Sequence, residues 1–326
     1  MLDEILGDGP VKNSFFIILK PRQFFRLLIV LACLITLGNV IWEAFKTPEE
    51  VAPLPHSAPP EIERSEFLTW EEVDQIFYRY ANATVIDVDT GLSFQVQRRG
   101  GTYHADVQPL TAKDTAIMNV IYDGQWSWKR KAIVLEVADR RIAASMNGMP
   151  HGSGAIRGNN FNGHFCIHFR DSKVHQSGKE NLAHQMMIWK AAGRFKQMIT
   201  AMSPEEVIEV LMNTIDQQDT NLALKTIHKP DPQDYDQLHR IISQIEQIKV
   251  QRIRSEGGSP ESFWVYLTIR YRDSTVNVEK KIELQVMDEG DTGYRVLREG
   301  LDQLLNRQAY AEITDTRIFE DDDRCN

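Results

Sequence analysis

The sequence predicts an α+β protein with an N-terminal transmembrane helix, then a mainly β domain, then a second domain of helices packed on an antiparallel sheet. Three patterns lead to this prediction. An uncharged apolar run occupies positions 27–42, alternation with the period of a strand begins at residue 83, and helical periodicity followed by more strands begins at residue 203. The length of 326 residues leaves room for two domains of about 150 residues each.

Residues 24–45 are predicted to be a single-pass membrane anchor. The uncharged centre LLIVLACLITLGNVIW is flanked by further apolar residues, which brings it to the roughly 20 residues that span a bilayer. Lys20, Arg22 and Arg26 precede it, so residues 1–23 are expected in the cytoplasm and the bulk of the chain on the extracytoplasmic side of the cell membrane. A cleaved signal peptide or a buried helix is the alternative, but no small-residue cleavage site closes the run.

Residues 46–66 are rich in proline and show no apolar period, which is typical of an extended, semi-rigid linker. A helix is predicted next, with Thr69 as its N-cap and Glu72 as its capping-box partner. The rest of the segment 67–202 is predicted to be a β-rich catalytic domain. Hairpins are expected at 83–98 and 132–146, a Gly- and Asn-rich loop at 148–163, and a helix at 180–202.

Residues 203–302 are predicted to form an α+β domain. Ser203 is a clear N-cap with proline at the first helical position, and amphipathic helices and then four strands follow. This order of elements resembles the NTF2-like domains, which implies a possible protein partner for residues 203–302. Residues 303–326 form an acidic tail.

Charge and cysteine content exclude several functions. The net charge is −9 and the basic residues form no stripe, so no nucleic-acid partner is expected. The three cysteines, Cys33, Cys166 and Cys325, are far apart and include no CxxC motif, which excludes a zinc ribbon and a dense disulfide scaffold. Pairing of Cys166 with Cys325 stays open.

The chemistry concentrates around Cys166. Six of the nine histidines lie between residues 104 and 184, and His164 and His168 flank the cysteine at two residues on either side. A thiolate is the reactive form of cysteine, and a neighbouring imidazole can take the thiol proton. The motif therefore predicts a nucleophile, Cys166, with His164 as its base.

A metal-dependent envelope hydrolase is the alternative, with zinc as the cofactor and His151, His164, Cys166 and His104 as candidate ligands. In a strand, His164 and His168 would lie about 13 Å apart, too far to share one ion. A third interpretation is structural: Cys166 is a small buried apolar residue, its histidines are hydrogen-bonded core groups, and the protein is a non-catalytic assembly or binding protein.

The stretch from Met149-Pro150-His151-Gly152 to Gly163-His164-Phe165-Cys166-Ile167-His168 resembles the L,D-transpeptidase (YkuD) pattern, in which a His-Gly precedes a Ser/Thr-His-Gly-Cys-Ile-Arg segment. The resemblance implies a β-sandwich and no cofactor. Its activity would be that of a cysteine acyltransferase on the stem peptides of peptidoglycan. It assigns Cys166 as nucleophile, His164 as base, His151 to the same cleft, and Gly163 and His168 to substrate binding. Trp126 and Trp128 are further candidates for lining a substrate groove, or else pack in the core.

Overall fold

The computed structural model describes residues 65–174, 178–258 and 260–313. These residues belong to one compact unit of the chain. They build two antiparallel sheets, each with helices packed against it, and the first sheet carries Cys166.

The structure corrects the predicted fold class, which included a transmembrane helix, for the described part of the chain. No helix there is long and apolar enough to cross a bilayer. The longest helices have 13 residues, which at about 1.5 Å per residue span about 20 Å, less than the roughly 30 Å of a hydrocarbon core. The predicted anchor at 24–45, the segment 1–23 and nearly all of the linker lie outside the described residues.

Six strands form the first sheet. They are β1 Asn82–Asp87, β2 Ser93–Gly100, β3 Ala105–Pro109, β4 Lys131–Val137, β5 Arg140–Met146 and β6 Phe165–His168. The two predicted hairpins are confirmed as β1–β2 and β4–β5. The predicted β-sandwich is wrong, because β1 also pairs with β4 and closes the sheet into a barrel in the order β1-β2-β3-β6-β5-β4.

The interior of the barrel is apolar because its strands alternate. On β6 and just after it, Phe165, Ile167 and Phe169 point inward into the core, as the alternation predicts. Cys166 and His168 therefore face the outside of the barrel. Small residues on the outer face of β4 and β5, Ala132 and Ala143, let a helix approach closely there and cover this side.

Four helices accompany the barrel: α1 Trp70–Ile76, α2 Ala112–Ile121, α3 Leu182–Ala191 and α4 Phe195–Thr200. The capping box of α1 is confirmed, since Glu72 and Thr69 each accept a hydrogen bond from the other residue's backbone amide. The long helix predicted at 180–202 is two helices instead. Gly193 adopts φ +66° between them, a left-handed conformation that ends α3.

The second sheet follows α5 Pro204–Asp216, α6 Thr220–Leu224 and α7 Pro232–Gln244. Its strands are β7 Ile245–Gly257, β8 Glu261–Tyr271, β9 Asn277–Asp288, β10 Tyr294–Val296 and β11 Ala311–Ile313, with 3-10 turns at Gly290–Thr292 and Leu301–Leu304. The N-cap at Ser203 is confirmed. The sequence did not predict β11, which pairs with one end of β9 while β10 pairs with the other. A closed barrel followed by this five-stranded sheet replaces the predicted sandwich and NTF2-like pair.

Candidate functional site

Strand register places Cys166 at the centre of the candidate site. Asp106 on β3 lies directly opposite Cys166 on β6, and both side chains face the outside of the barrel. The thiol sulfur is 3.9 Å from Oδ1 of Asp106. Only 1% of Cys166 is exposed, whereas Asp106 is partly open to solvent.

A short backbone bridge brings His151 to the cysteine. His151 and His164 exchange two backbone hydrogen bonds of 3.0 and 2.8 Å, and their rings lie 4.6 Å apart. This bridge requires Gly163, which has φ +124° and packs so tightly that a Cβ atom would overlap the carbonyl oxygen of His151. Gly152 is equally confined, because a Cβ there would overlap the ring of His164.

The imidazole of His151 contacts the thiol. Nε2 of His151 lies 3.3 Å from Sγ of Cys166, and Nδ1 lies 2.8 Å from the carbonyl oxygen of Met149. A carbonyl can only accept a hydrogen bond, so Nδ1 carries a proton, and in that tautomer Nε2 has the lone pair that faces the thiol. Nδ1 of His164 donates instead to the carbonyl oxygen of Ser153, at 3.2 Å. The role of base predicted for His164 stays a prediction, and His151 is a second imidazole within hydrogen-bond reach of the thiol.

A buried stack of three histidines borders the other side of Cys166. The ring of His168 lies between those of His104 and His184, with centroid distances of 4.3 and 3.7 Å. His104 reaches Asp106, with Nε2 3.4 Å from Oδ1, and its Nδ1 donates to the carbonyl oxygen of Lys173. His168, assigned from sequence to substrate binding, is only 2% exposed and bonds to Ser172. The stack packs against the outer face of β6. It also buries His168, so a substrate cannot reach that side chain directly.

The two tryptophans occupy different places. The ring of Trp128 lies 5.1 Å from that of His151, at the candidate site. Trp126 packs edge-on against Phe161 and contacts the barrel core. Beyond Trp128 the chain is tied to α5, because Lys129 reaches Asp216 at 3.2 Å. Of the two, Trp128 is the one whose ring contacts His151.

Gln108 on β3 is a site residue that sequence reasoning missed. It is fully buried, its Nε2 donates to the carbonyl oxygen of Gly163, and its Oε1 accepts from the amides of Ala155 and Ile156. One side chain therefore ties the middle and the C-terminal end of the Gly-rich loop to the barrel. A lone glutamine in a strand carries no sequence signal for such a role.

Tyr122 supports the end of β5 beside the site. Its hydroxyl lies 3.3 Å from the carbonyl oxygen of Met146, to which it donates. Burial first, and then the nearby Asp87 carboxylate, raise the pKa of Tyr122 well above its usual range, although Arg130 opposes this. The tyrosine is therefore a neutral donor across the physiological pH range.

Two groups of metal-ligating atoms share Cys166. In one, a ligand atom from each of His151, His164 and Cys166 lies within 4.8 Å of the others; in the second, the same holds for His104, Cys166 and His168. His104, a sequence-predicted ligand, therefore belongs with His168 and not with His151. Tetrahedral zinc with bonds of about 2.3 Å to sulfur and 2.0–2.1 Å to nitrogen holds those two atoms about 3.5 Å apart. The 3.3 Å between Sγ and Nε2 of His151 fits that spacing.

The expectation of a cell-wall protein is also corrected. Nothing in the described residues identifies peptidoglycan or a cell-wall location. Cys325, the possible disulfide partner, and His175 lie outside the described residues. No protein-family model matches the chain, and no curated protein matches it significantly.

Proposed function

We propose that this protein is a cysteine acyltransferase or hydrolase in which Cys166 is the nucleophile and His151 is the general base. The observation that supports it is the contact of 3.3 Å between Nε2 of His151 and the thiol, with the tautomer fixed by the carbonyl oxygen of Met149. A nucleophile, a base within hydrogen-bond reach and a third group that orients the base are the three parts of such a centre.

The reaction follows from these atoms. The thiol of Cys166 gives its proton to Nε2 of His151, and the sulfur bonds to the carbonyl carbon of the donor. The carbon–nitrogen bond then breaks, the imidazolium proton goes to the leaving amine, and a thioester remains. An acceptor amine or water attacks the thioester and gives its proton to Nε2. The carbon–sulfur bond breaks, and His151 returns that proton to the sulfur.

The substrate reaches the sulfur from the side of the Gly-rich loop. Nearly every residue from Gly152 to Gly158 is exposed, although Cys166 beneath is 1% exposed. Access to the sulfur therefore needs local opening of this loop. The L,D-transpeptidase resemblance favours a peptide carbonyl as the acyl donor, so a short peptide belongs among the first donors to test.

Acylation of Cys166 tests the proposal. Full-length protein is incubated with a thioester, a β-lactam or a short peptide, and the modified residue is located by peptide mass mapping. We expect an acyl adduct on Cys166 and no adduct at that position in Cys166→Ala, because alanine has no nucleophilic atom. Iodoacetamide, which needs only a reachable thiolate, is the control for access. Alkylation of Cys166 without acylation by any donor would contradict the proposed function.

We propose a zinc centre at His151, His164 and Cys166 as the second candidate. Both histidines donate Nδ1–H to a carbonyl oxygen. Histidines that bind zinc are commonly oriented by such a hydrogen bond, which favours this candidate. Asp106, which has Oδ1 3.9 Å from the sulfur, would be the nearest carboxylate. Bound zinc would hold the sulfur as a thiolate, so it would compete with acylation.

Metal analysis of the purified protein distinguishes this candidate. If it is right, we expect about one zinc per chain, and a loss of at least about 10-fold in affinity for His164→Gln, because a ligand is removed. His104→Gln is the matched control, since His104 belongs to the other group around Cys166. Equal zinc content in the two variants would exclude the assignment of His164 as a ligand.

A further inference from the structure

Asn147 is a buried amide whose hydrogen-bonding groups are not used within the described residues. It is 0% exposed, and neither Nδ2 nor Oδ1 has a hydrogen-bond partner there. A buried polar group without a partner is costly and rare in native proteins, and it calls for an explanation. Asn159, also buried, shows the ordinary case: its Nδ2 donates to the carbonyl oxygen of Pro109 and its Oδ1 accepts from the amide of Phe161.

Strand register places Asn147 beside the nucleophile. Ser145 pairs with His168 and Met146 with Ile167, so the next residue on each strand, Asn147 and Cys166, stand opposite each other. The amide of Asn147 donates to the carbonyl oxygen of Cys166, at 3.4 Å. The inward position of Met146 in the barrel core puts Asn147 on the outer side, with Cys166. Opposed Cβ atoms on neighbouring antiparallel strands are about 5 Å apart.

Acyl transfer at Cys166 needs a hydrogen-bond donor near the sulfur. When the thiolate adds to a carbonyl carbon, the carbonyl oxygen becomes an oxyanion, and stabilising that charge is a large part of acyl-transfer catalysis. The amide of His164, one of the nearby backbone donors, is already bonded to the carbonyl oxygen of His151 at 2.8 Å. A side-chain donor on the neighbouring strand can supply the hydrogen bond instead.

We propose that Nδ2 of Asn147 donates a hydrogen bond to the oxyanion formed on the substrate during acylation of Cys166. This inference rests on the proposed function. Oδ1 of the same amide would accept a hydrogen bond from an N–H of the substrate. A trans peptide bond directs its N–H and its C=O to opposite sides, so this N–H comes from a neighbouring peptide unit of the substrate. The donor class is therefore a peptide.

Comparison of acylation with alkylation tests the inference. We expect Asn147→Leu and Asn147→Ala to acylate Cys166 about 10²–10³-fold more slowly than the unchanged protein, because an oxyanion donor is lost. Alkylation by iodoacetamide should stay unchanged, since it forms no oxyanion. Acylation of either folded variant at the rate of the unchanged protein would overturn the proposal, as would a parallel fall in alkylation in both variants.

The melting temperature provides a second test, because a role in stabilising the fold and a role in catalysis predict different values for the Asn147 variants. Removing an unpartnered buried amide should leave the melting temperature of Asn147→Leu unchanged or higher. Asn159→Leu, the matched control, should lower it because it breaks two satisfied hydrogen bonds. A clear fall for both Asn147 variants would mean that Asn147 stabilises the fold, against the proposal. If the unchanged protein is alkylated but not acylated, the proposed function itself fails, which is a separate outcome.

Discussion

Replacing His151 with glutamine is expected to slow acylation of Cys166 by about 10²–10⁴-fold at neutral pH, the range that a general base contributes. The reason is geometric: Nε2 of His151 is the imidazole nitrogen held 3.3 Å from the thiol with its lone pair toward it. The measurement is the acylation rate with the same donor, followed by mass spectrometry.

His164→Gln is the control for this prediction, because His164 is part of the same bridge but directs Nδ1 to the carbonyl oxygen of Ser153. We expect a much smaller loss for it. The deficit of His151→Gln should also shrink as the pH rises, because the thiol proton is then lost to hydroxide without a base. A larger loss for His164→Gln would return the role of base to His164.

The proposed base differs from the one suggested by the sequence, and strand geometry explains the difference. His164 and Cys166 are two residues apart on one strand, so their backbones are about 6.6 Å apart along it and their side chains run side by side. His151 comes from a segment that pairs with residue 164 across a bridge, which turns its ring toward the sulfur. Proximity in the sequence suggested His164 as the base. The contact of His151 with the sulfur depends on the bridge between residues 151 and 164, which the sequence does not reveal.

Other features divide in the same way between local and long-range causes. The hairpins and the N-caps at Thr69 and Ser203 depend on neighbouring residues, and the sequence predicts them. Closure of the barrel depends on pairing of Thr84 with Glu136, about 50 positions apart, for which a single sequence carries no signal. Gln108 and Asn147 were missed for the same reason, since their roles arise from which strand lies beside them.

Replacing Gly163 with alanine is expected to destabilise the fold by about 1–3 kcal/mol and to slow acylation by about 10²-fold. The backbone at Gly163 has φ +124°, and the added Cβ would overlap the carbonyl oxygen of His151, with the carbonyl carbon also only 3.0 Å away. The bridge between His151 and His164 must then move, and with it the ring that contacts Cys166. Thermal unfolding and the acylation rate measure the two effects.

Gly158→Ala is the control that measures the cost of a left-handed backbone conformation without a steric overlap. Gly158 also has a positive φ, +76°, but a Cβ there would meet no atom within 4 Å. Alanine at 158 should therefore cost only the roughly 1–2 kcal/mol of a left-handed residue and leave acylation unchanged. A loss of acylation in Gly163→Ala alone would show that the glycine is needed to hold His151 against the thiol. Equal effects of the two substitutions would mean that the bridge does not position the base.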